Sequence, residues 1–171
     1  MHDVLILGGG PAGYTAAMYC ARAGLDALVV ERLLPGGQAA QADWIDNAPG
    51  FDQGVSGVEL GERMRRAAER FGARTLIAEA LEVQLSGPVK TAKTTAGMVQ
   101  ARTVILATGA SPRTLDLPGE RELLGRGVSY CPSCDGPLYR GRTVAVVGGG
   151  NAAASDAATL SRLCGRVILV H

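Results

Sequence analysis

Val4-Leu5-Ile6-Leu7-Gly8-Gly9-Gly10-Pro11-Ala12-Gly13 runs from an apolar stretch into a glycine-rich turn and on into small residues. Residues 3–7 have the length and the unbroken apolar character of a buried parallel strand. A helix is expected over 11–23, with Ala16, Ala17, Cys20 and Ala21 on a close-packing face; Cys20 reads as part of that face. Leu28-Val29-Val30 is the next strand and ends at Glu31. Strand, turn, helix and strand then form a βαβ unit of the length that the dinucleotide fingerprint requires. In such a unit Gly8 makes the tight turn and Gly10 lets a pyrophosphate approach the backbone. Gly13 lets the helix close on the strand, and the helix N-terminus supplies N–H groups and positive dipole. Pro11 and Ala12 complete the turn, and Glu31 is placed to accept hydrogen bonds from ribose hydroxyls.

The pattern recurs. Thr143-Val144-Ala145-Val146-Val147 leads into Gly148-Gly149-Gly150, a helix is expected over 151–163, and Val167-Ile168-Leu169-Val170 is a second strand. Gly148, Gly150, Asn151 and Ala153 form the second nucleotide cradle, Ala153 standing where the fingerprint tolerates alanine. Its ribose-reading or phosphate-reading residue falls around or beyond His171, so NADPH and NADH are not distinguished here. Two parallel strands and one helix cannot bury Val144, Val146, Ile168 and Val170, and β-edges of that kind need cover. The expectation is that the chain is a fragment of a longer protein, or else hides this edge by association.

Between the two cradles stands Cys131-Pro132-Ser133-Cys134, followed by Asp135. Two intervening residues allow a disulfide that opens and closes readily, and such motifs often favour a thiolate near neutral pH. Exchange at the second sulfur needs a proton donor and acceptor, a role open to the adjacent carboxylate. Half a zinc site is a weaker reading, because Cys20, Cys164, His2 and His171 are not at ligand spacing. No metal is expected. A static structural disulfide is the other alternative.

The remaining chain frames these motifs. Residues 32–56 lack periodicity but contain shaped turns, and long loops in compact domains are usually functional or disordered. Ser56 caps a helix over 57–71, with Glu59 completing a capping box. Arg63, Arg65, Arg66 and Arg70 alternate with Glu59, Glu62 and Glu69 as a solvated mixed face. Residues 73–105 suggest a small antiparallel excursion of short strands, from which Val104-Ile105-Leu106 returns to the buried sheet. The Pro/Gly-punctuated stretch 110–127 is the expected connection between domains. Cys164 reads as a helix-end core residue.

Composition narrows the function. Apolar residues make up 47%, aromatics 4%, and the net charge is +1 with no basic cluster. Nucleic-acid binding is therefore not expected. No apolar run reaches the ~18 residues of a membrane span, and the N-terminus lacks a basic, cleavable leader, so a cytoplasmic protein is expected.

Six blocks together resemble the low-molecular-weight thioredoxin reductase family. They are Gly8–Thr15, Gly36-Gly37-Gln38, Asn47 with Pro49-Gly50-Phe51, Ala107–Ala110, Val128–Gly136 and Val147–Ala153. The resemblance implies an α/β architecture: a Rossmann-like FAD-binding domain over 1–112 with a small antiparallel β excursion, then the first βαβ unit of an NAD(P)-binding domain over 113–171. It implies an NADPH-dependent thioredoxin-disulfide reductase in which hydride passes to FAD, electrons pass to the Cys131–Cys134 disulfide, and the dithiol reduces a thioredoxin or thioredoxin-like protein. Cys134 is then the sulfur nearest the flavin, Cys131 the one that attacks the protein substrate, and Asp135 the proton-transfer acid. Glu31, Gly36, Gly37, Gln38, Asn47, Thr108 and Gly109 would contact FAD. The full-length family member would be a homodimer whose two domains rotate, with 110–127 at one hinge. Two departures stand out: Ser155-Asp156 replaces a usual pair of acids, and the family continues well past His171. The alternatives are a related flavin disulfide reductase or dithiol oxidase with another donor or substrate, and a non-catalytic nucleotide-binding fragment.

Overall fold

The computed structural model describes residues 1–171, which divide into two compact units, Met1–Ala110 and Ser111–His171. In the first unit the elements run β1 (His2–Leu7), α1 (Pro11–Arg22), β2 (Ala27–Glu31), a 3-10 turn (Gly37–Gln41), α2 (Gly57–Arg70), β3 (Arg74–Ile77), β4 (Ala80–Gln84), β5 (Lys90–Thr94) and β6 (Gly97–Leu106). They build one six-stranded sheet in the order β3-β2-β1-β6-β5-β4. β1 lies between β2 and β6, parallel to both, and β3 extends the parallel part beyond β2. The fold is the Rossmann-like α/β arrangement expected from the fingerprint.

The antiparallel excursion needs correction at both ends. Residues 74–77 belong to the parallel sheet. The excursion itself is β4–β5–β6, and β6 is one continuous ten-residue strand. Its first half pairs antiparallel with β5, while residues 101–106 pair parallel with β1, so the return strand and the last hairpin strand are the same element. A strand can do this because its two edges carry independent ladders.

The core forms on both faces of this sheet. Ile6, Val29, Tyr14 and Ala17 pack on the α1 side, and Leu5, Leu7, Val30 and Ala92 on the other. Leu5, Ile6 and Val29 are fully buried, as central parallel strands require. Tyr14 is buried as well, which pushes its phenol pKa up against the opposing effect of the Thr75 hydroxyl beside it. α2 begins as read from the sequence: Ser56 Oγ accepts the Glu59 N–H at 3.2 Å. The reciprocal half of the capping box is absent, because the Glu59 carboxylate turns instead to Arg63 at 2.6 Å and Arg66 at 3.6 Å.

In the second unit α3 (Pro132–Asp135), a 3-10 turn (Gly136–Tyr139), β7 (Thr143–Val147), α4 (Asn151–Leu160) and β8 (Arg166–Val170) follow a folded segment without regular strands. β7 and β8 form a two-stranded parallel sheet. Val146, Ala153 and Leu160 make a small core. Ile168, Leu169 and Val170 remain exposed. The stretch 110–127 is more than a connection. Glu120 is 7% exposed, and its carboxylate accepts the N–H groups of Leu115 (3.0 Å) and Leu117 (3.3 Å) and the hydroxyl of Tyr130. Those contacts tie residues 115–120 to the segment that carries the cysteines.

Candidate active site

In the first unit the end of β1 turns sharply at Gly8, whose φ of +106° suits glycine, and the Gly8 N–H donates to Val30 O at 2.9 Å. A Cβ at Gly13 would lie 1.8 Å from Gly8 O, so the helix can close on the turn only without a side chain there. At Gly10 the opposite holds: an added Cβ would meet only Gly37, at 3.9 Å, and the space in front of the backbone is open. No side chain caps α1, which leaves its first-turn N–H groups available to an anion.

Glu31 closes one side of this cradle. Its carboxylate accepts the Gly9 N–H at 2.7 Å and the Leu33 N–H at 3.0 Å, so it is held over the turn at the end of β2. The Gly36-Gly37-Gln38 segment closes another. Gly36 N–H donates to Gly9 O at 2.8 Å, and the 3-10 turn that follows is seated on α2. That seat depends on Gly57 and Gly61, where a Cβ would fall 1.9 Å from Ala39 O and 2.1 Å from Pro35 O. Two glycines at i, i+4 in a helix were the sequence signal for this contact, and the motif reading passed over them. Thr108 stands against the same turn, its Cα 3.3 Å from a Cβ placed on Gly8, and Gly109 follows it in a left-handed conformation. Asn47 is exposed in the loop 46–52. The structure thus gathers Gly8–Gly13, Glu31, Gly36, Gly37 and Thr108 about one turn, a cradle with room, N–H donors and a carboxylate. That donor set fits a dinucleotide.

The second unit repeats the turn. Gly148 has φ +137° and donates its N–H to Val170 O at 2.8 Å. Its would-be Cβ meets Ala153 Cβ at 3.2 Å, and Gly150 has open space in front of it. α4 starts at Asn151 with no side-chain cap. The His171 ring lies over Gly149 as Glu31 lies over Gly9, with a Cβ at Gly149 falling 3.1 Å from the imidazole. Here too the residues fit a nucleotide.

Cys131 and Cys134 are joined as a disulfide. Cys131 occupies the N-cap of α3 with Pro132 in the first turn, and its carbonyl accepts the N–H groups of Cys134 (3.1 Å) and Asp135 (3.0 Å). Cys134 is exposed and Cys131 half-buried. Asp135 Oδ2 accepts the Ser129 hydroxyl at 2.5 Å, and Ser129 Oγ in turn accepts the Cys131 N–H at 3.1 Å. Ser133 Oγ lies 3.4 Å from Cys131 Sγ. A cavity of about 440 Å³ adjoins this segment, lined in part by Glu120, Tyr130, Pro132, Val144 and Leu160; none of Gly148, Gly149 and Gly150 lines it. Backbone N–H donation, from Leu115 first, holds the Glu120 carboxyl below the usual range, and its bond to Glu120 pushes the Tyr130 phenol up. Ser129 and Tyr130 fall inside the Val128–Gly136 block but carry no role of their own in the sequence, and Glu120 lies outside every motif, since a glutamate in a turn-rich stretch has no periodic signal.

Known proteins match this chain along its whole length. The bifunctional thioredoxin reductase/thioredoxin of Mycobacterium leprae is 49% identical over 100% of the chain and 38% of its own length. The thioredoxin reductase of Treponema pallidum is 45% identical over 99% of the chain and 55% of its own length. The crystal structure of thioredoxin reductase from Streptococcus pyogenes superposes with a TM-score of 0.90 at 41% identity, covering 100% of this chain and 56% of that one. The chain therefore spans about half the length of such relatives, or less. The family described as pyridine nucleotide-disulphide oxidoreductase matches residues 2–171, and with its glycine turns and its cysteine pair the chain belongs to that family.

Proposed function

We propose that the chain is the flavin-binding and dithiol-bearing part of an NADPH-dependent thioredoxin-disulfide reductase. The observation that carries the reading is the closed Cys131–Cys134 pair at a helix start, in a chain whose two glycine turns each fit a nucleotide. FAD belongs in the first cradle, with Gly8, Gly10, Pro11, Ala12, Gly13, Glu31, Gly36, Gly37, Gln38, Asn47, Thr108 and Gly109 around it. The nicotinamide nucleotide belongs at Gly148, Gly150, Asn151 and Ala153. When bound, the pair supplies hydride transfer that ends in reduction of the disulfide. His171 stands where the first turn has Glu31. A carboxylate there would repel a 2′-phosphate and the His171 imidazole does not, so this turn is compatible with the proposed NADPH and equally with NADH.

The chain's own residues account for the exchange step. Reduced Cys131 attacks a partner disulfide as thiolate, the partner S–S bond breaks, and its electron pair leaves on the partner's second sulfur. Cys134 loses its proton, attacks Cys131 Sγ, and re-forms the intramolecular disulfide while the partner leaves as a dithiol. Asp135, next in sequence to Cys134, takes that proton. The partner is a thioredoxin-like protein, and the full-length protein is a cytoplasmic homodimer.

A single-turnover experiment tests this. The chain is reduced with dithiothreitol, desalted and mixed with oxidised thioredoxin. One thioredoxin disulfide should be reduced per chain, with Cys131–Cys134 re-formed, and Cys131→Ser should abolish the transfer. Failure of the unaltered dithiol to reduce any thioredoxin would overturn the proposal.

A further inference from the structure

We infer that Ser129 is a positioning residue: its hydroxyl holds the Asp135 carboxylate in place for proton transfer at the Cys131–Cys134 couple. The inference rests on the dithiol reading above and adds to it a residue outside the C-x-x-C-D run.

Ser129 makes two short bonds that span the redox turn, and Cys131 O, 3.4 Å from the same hydroxyl, is its more distant second acceptor. Its Oγ accepts the Cys131 N–H at 3.1 Å and donates to Asp135 Oδ2 at 2.5 Å. Asp135 N–H returns to Cys131 O at 3.0 Å, so Ser129, Cys131 and Asp135 close a ring of hydrogen bonds around the first turn of α3. Ser129 is itself half-buried. Two torsions separate an aspartate carboxylate from its backbone, and a four-residue helix does little to restrain them. The hydroxyl supplies the missing restraint. It also occupies Oδ2, which leaves Oδ1 to exchange the thiol proton. Ser133, the other hydroxyl in the motif, lies against the Cys131 sulfur and does not serve the carboxylate.

The step that depends on this geometry is explicit. When a dithiol reductant opens the disulfide, its thiolate bonds to one sulfur and the Sγ–Sγ bond breaks. The electron pair stays on the leaving sulfur, which takes one proton. The reductant's second thiolate then displaces the chain's remaining sulfur, which is protonated in turn, and the reductant becomes a cyclic disulfide. In the reverse direction the thiol must lose its proton before it attacks. A misplaced carboxylate slows both directions without changing the equilibrium.

Rates of reduction by dithiothreitol and of reoxidation by its cyclic disulfide, followed by thiol trapping and mass spectrometry on the chain, test the inference. Ser129→Val and Ser129→Thr have the same shape and differ in the hydroxyl. Val is expected to slow both directions about tenfold, a fraction of what general acid–base catalysis contributes, and Thr to restore the rate to within about threefold. Asp135→Asn is itself expected to be slow, and Ser129→Val combined with it is expected to add nothing, since the two act as one unit. Ser129→Ala repeats the measurement should Val disturb folding. Equal rates for Val and Thr, additive slowing in the Asp135→Asn background, or an Asp135→Asn rate equal to the unaltered chain each overturn the inference. A disulfide that dithiothreitol cannot reduce even in the unaltered chain would instead sink the dithiol reading itself.

Discussion

β1-α1-β2 and β7-α4-β8 are the same unit built twice at a constant offset along the chain. Gly8 N–H reaches Val30 O as Gly148 N–H reaches Val170 O, and Ile6 pairs with Val29 as Val146 pairs with Leu169. Their surroundings differ. β1 has a strand on each side and helices over it, and Ile6 and Val29 are fully buried. β7 has β8 alone, and Leu169 is 48% exposed. Turn geometry is therefore local, dictated by glycines and two parallel strands, whereas burial is collective and depends on how many elements share the sheet.

The comparison can be broken most directly in the strands. Ile6→Ala removes a fully buried side chain from a packed layer and is expected to cost about 2–5 kcal/mol. Leu169→Ala, on the exposed counterpart strand, should stay within about 0.5 kcal/mol. Urea unfolding of both variants checks the pair; equal losses would show that the second sheet is covered. The turns come next. Gly13→Ala drives a methyl to 1.8 Å from Gly8 O and should cost about 3 kcal/mol, together with flavin binding in the first unit. The mirror change, Ala153→Gly, is expected to cost about 1 kcal/mol through helix propensity. Flavin fluorescence and denaturation of the two variants separate steric closure from propensity.

The contrast also marks what is legible in the sequence alone. β1 and β7 are readable because each is an apolar run that meets glycine at a fixed place, and β2 and β8 because each is an apolar run that closes a βαβ unit of the expected length. β6 was not readable as one strand. Gly97–Gln100 pairs antiparallel with β5, residues 101–106 pair parallel with β1, and a change of partner leaves no mark on the period of the side chains. Ser56 as a helix cap was visible because one residue and its own helix suffice; the missing return bond from Glu59 was not, since Arg63 competes for the same carboxylate. The cysteines and Asp135 announce themselves by type and spacing. Glu120 does not: it reads as a turn charge after Pro118-Gly119, and only the folded chain brings Leu115, Leu117 and Tyr130 to it.

A smaller effect sharpens the comparison at the strand ends. Glu31 and His171 occupy the same place over their glycine turns. Glu31→Ala removes the acceptor for Gly9 N–H and the proposed ribose contact, and flavin affinity measured by fluorescence quenching should fall about tenfold, near 1.4 kcal/mol. His171→Ala should leave flavin affinity unchanged. An equal loss in both variants would contradict the assignment of flavin to the first cradle.

The smallest effect separates the units by acid and salt. Asp26 in the first unit and Glu120 in the second both have carboxyl pKa values held below the ordinary range, Asp26 chiefly by the Arg74 guanidinium 2.7 Å away and Glu120 chiefly by the Leu115 N–H. A group whose folded pKa is depressed contributes stability above its unfolded pKa and loses it as pH falls through the folded value, so both contributions fade below about pH 4. Their salt dependence should differ. The Asp26 and Arg74 side chains are 41% and 60% exposed, and the pair should contribute under about 1 kcal/mol, less as salt screens it. Glu120 is held by backbone dipoles and a phenol, short-range bonds that salt barely touches. Acid titrations of Asp26→Asn and Glu120→Gln at low and high sodium chloride should show the first difference shrinking with salt while the second persists; parallel behaviour would mean that the Glu120 carboxylate is as solvated as the surface pair.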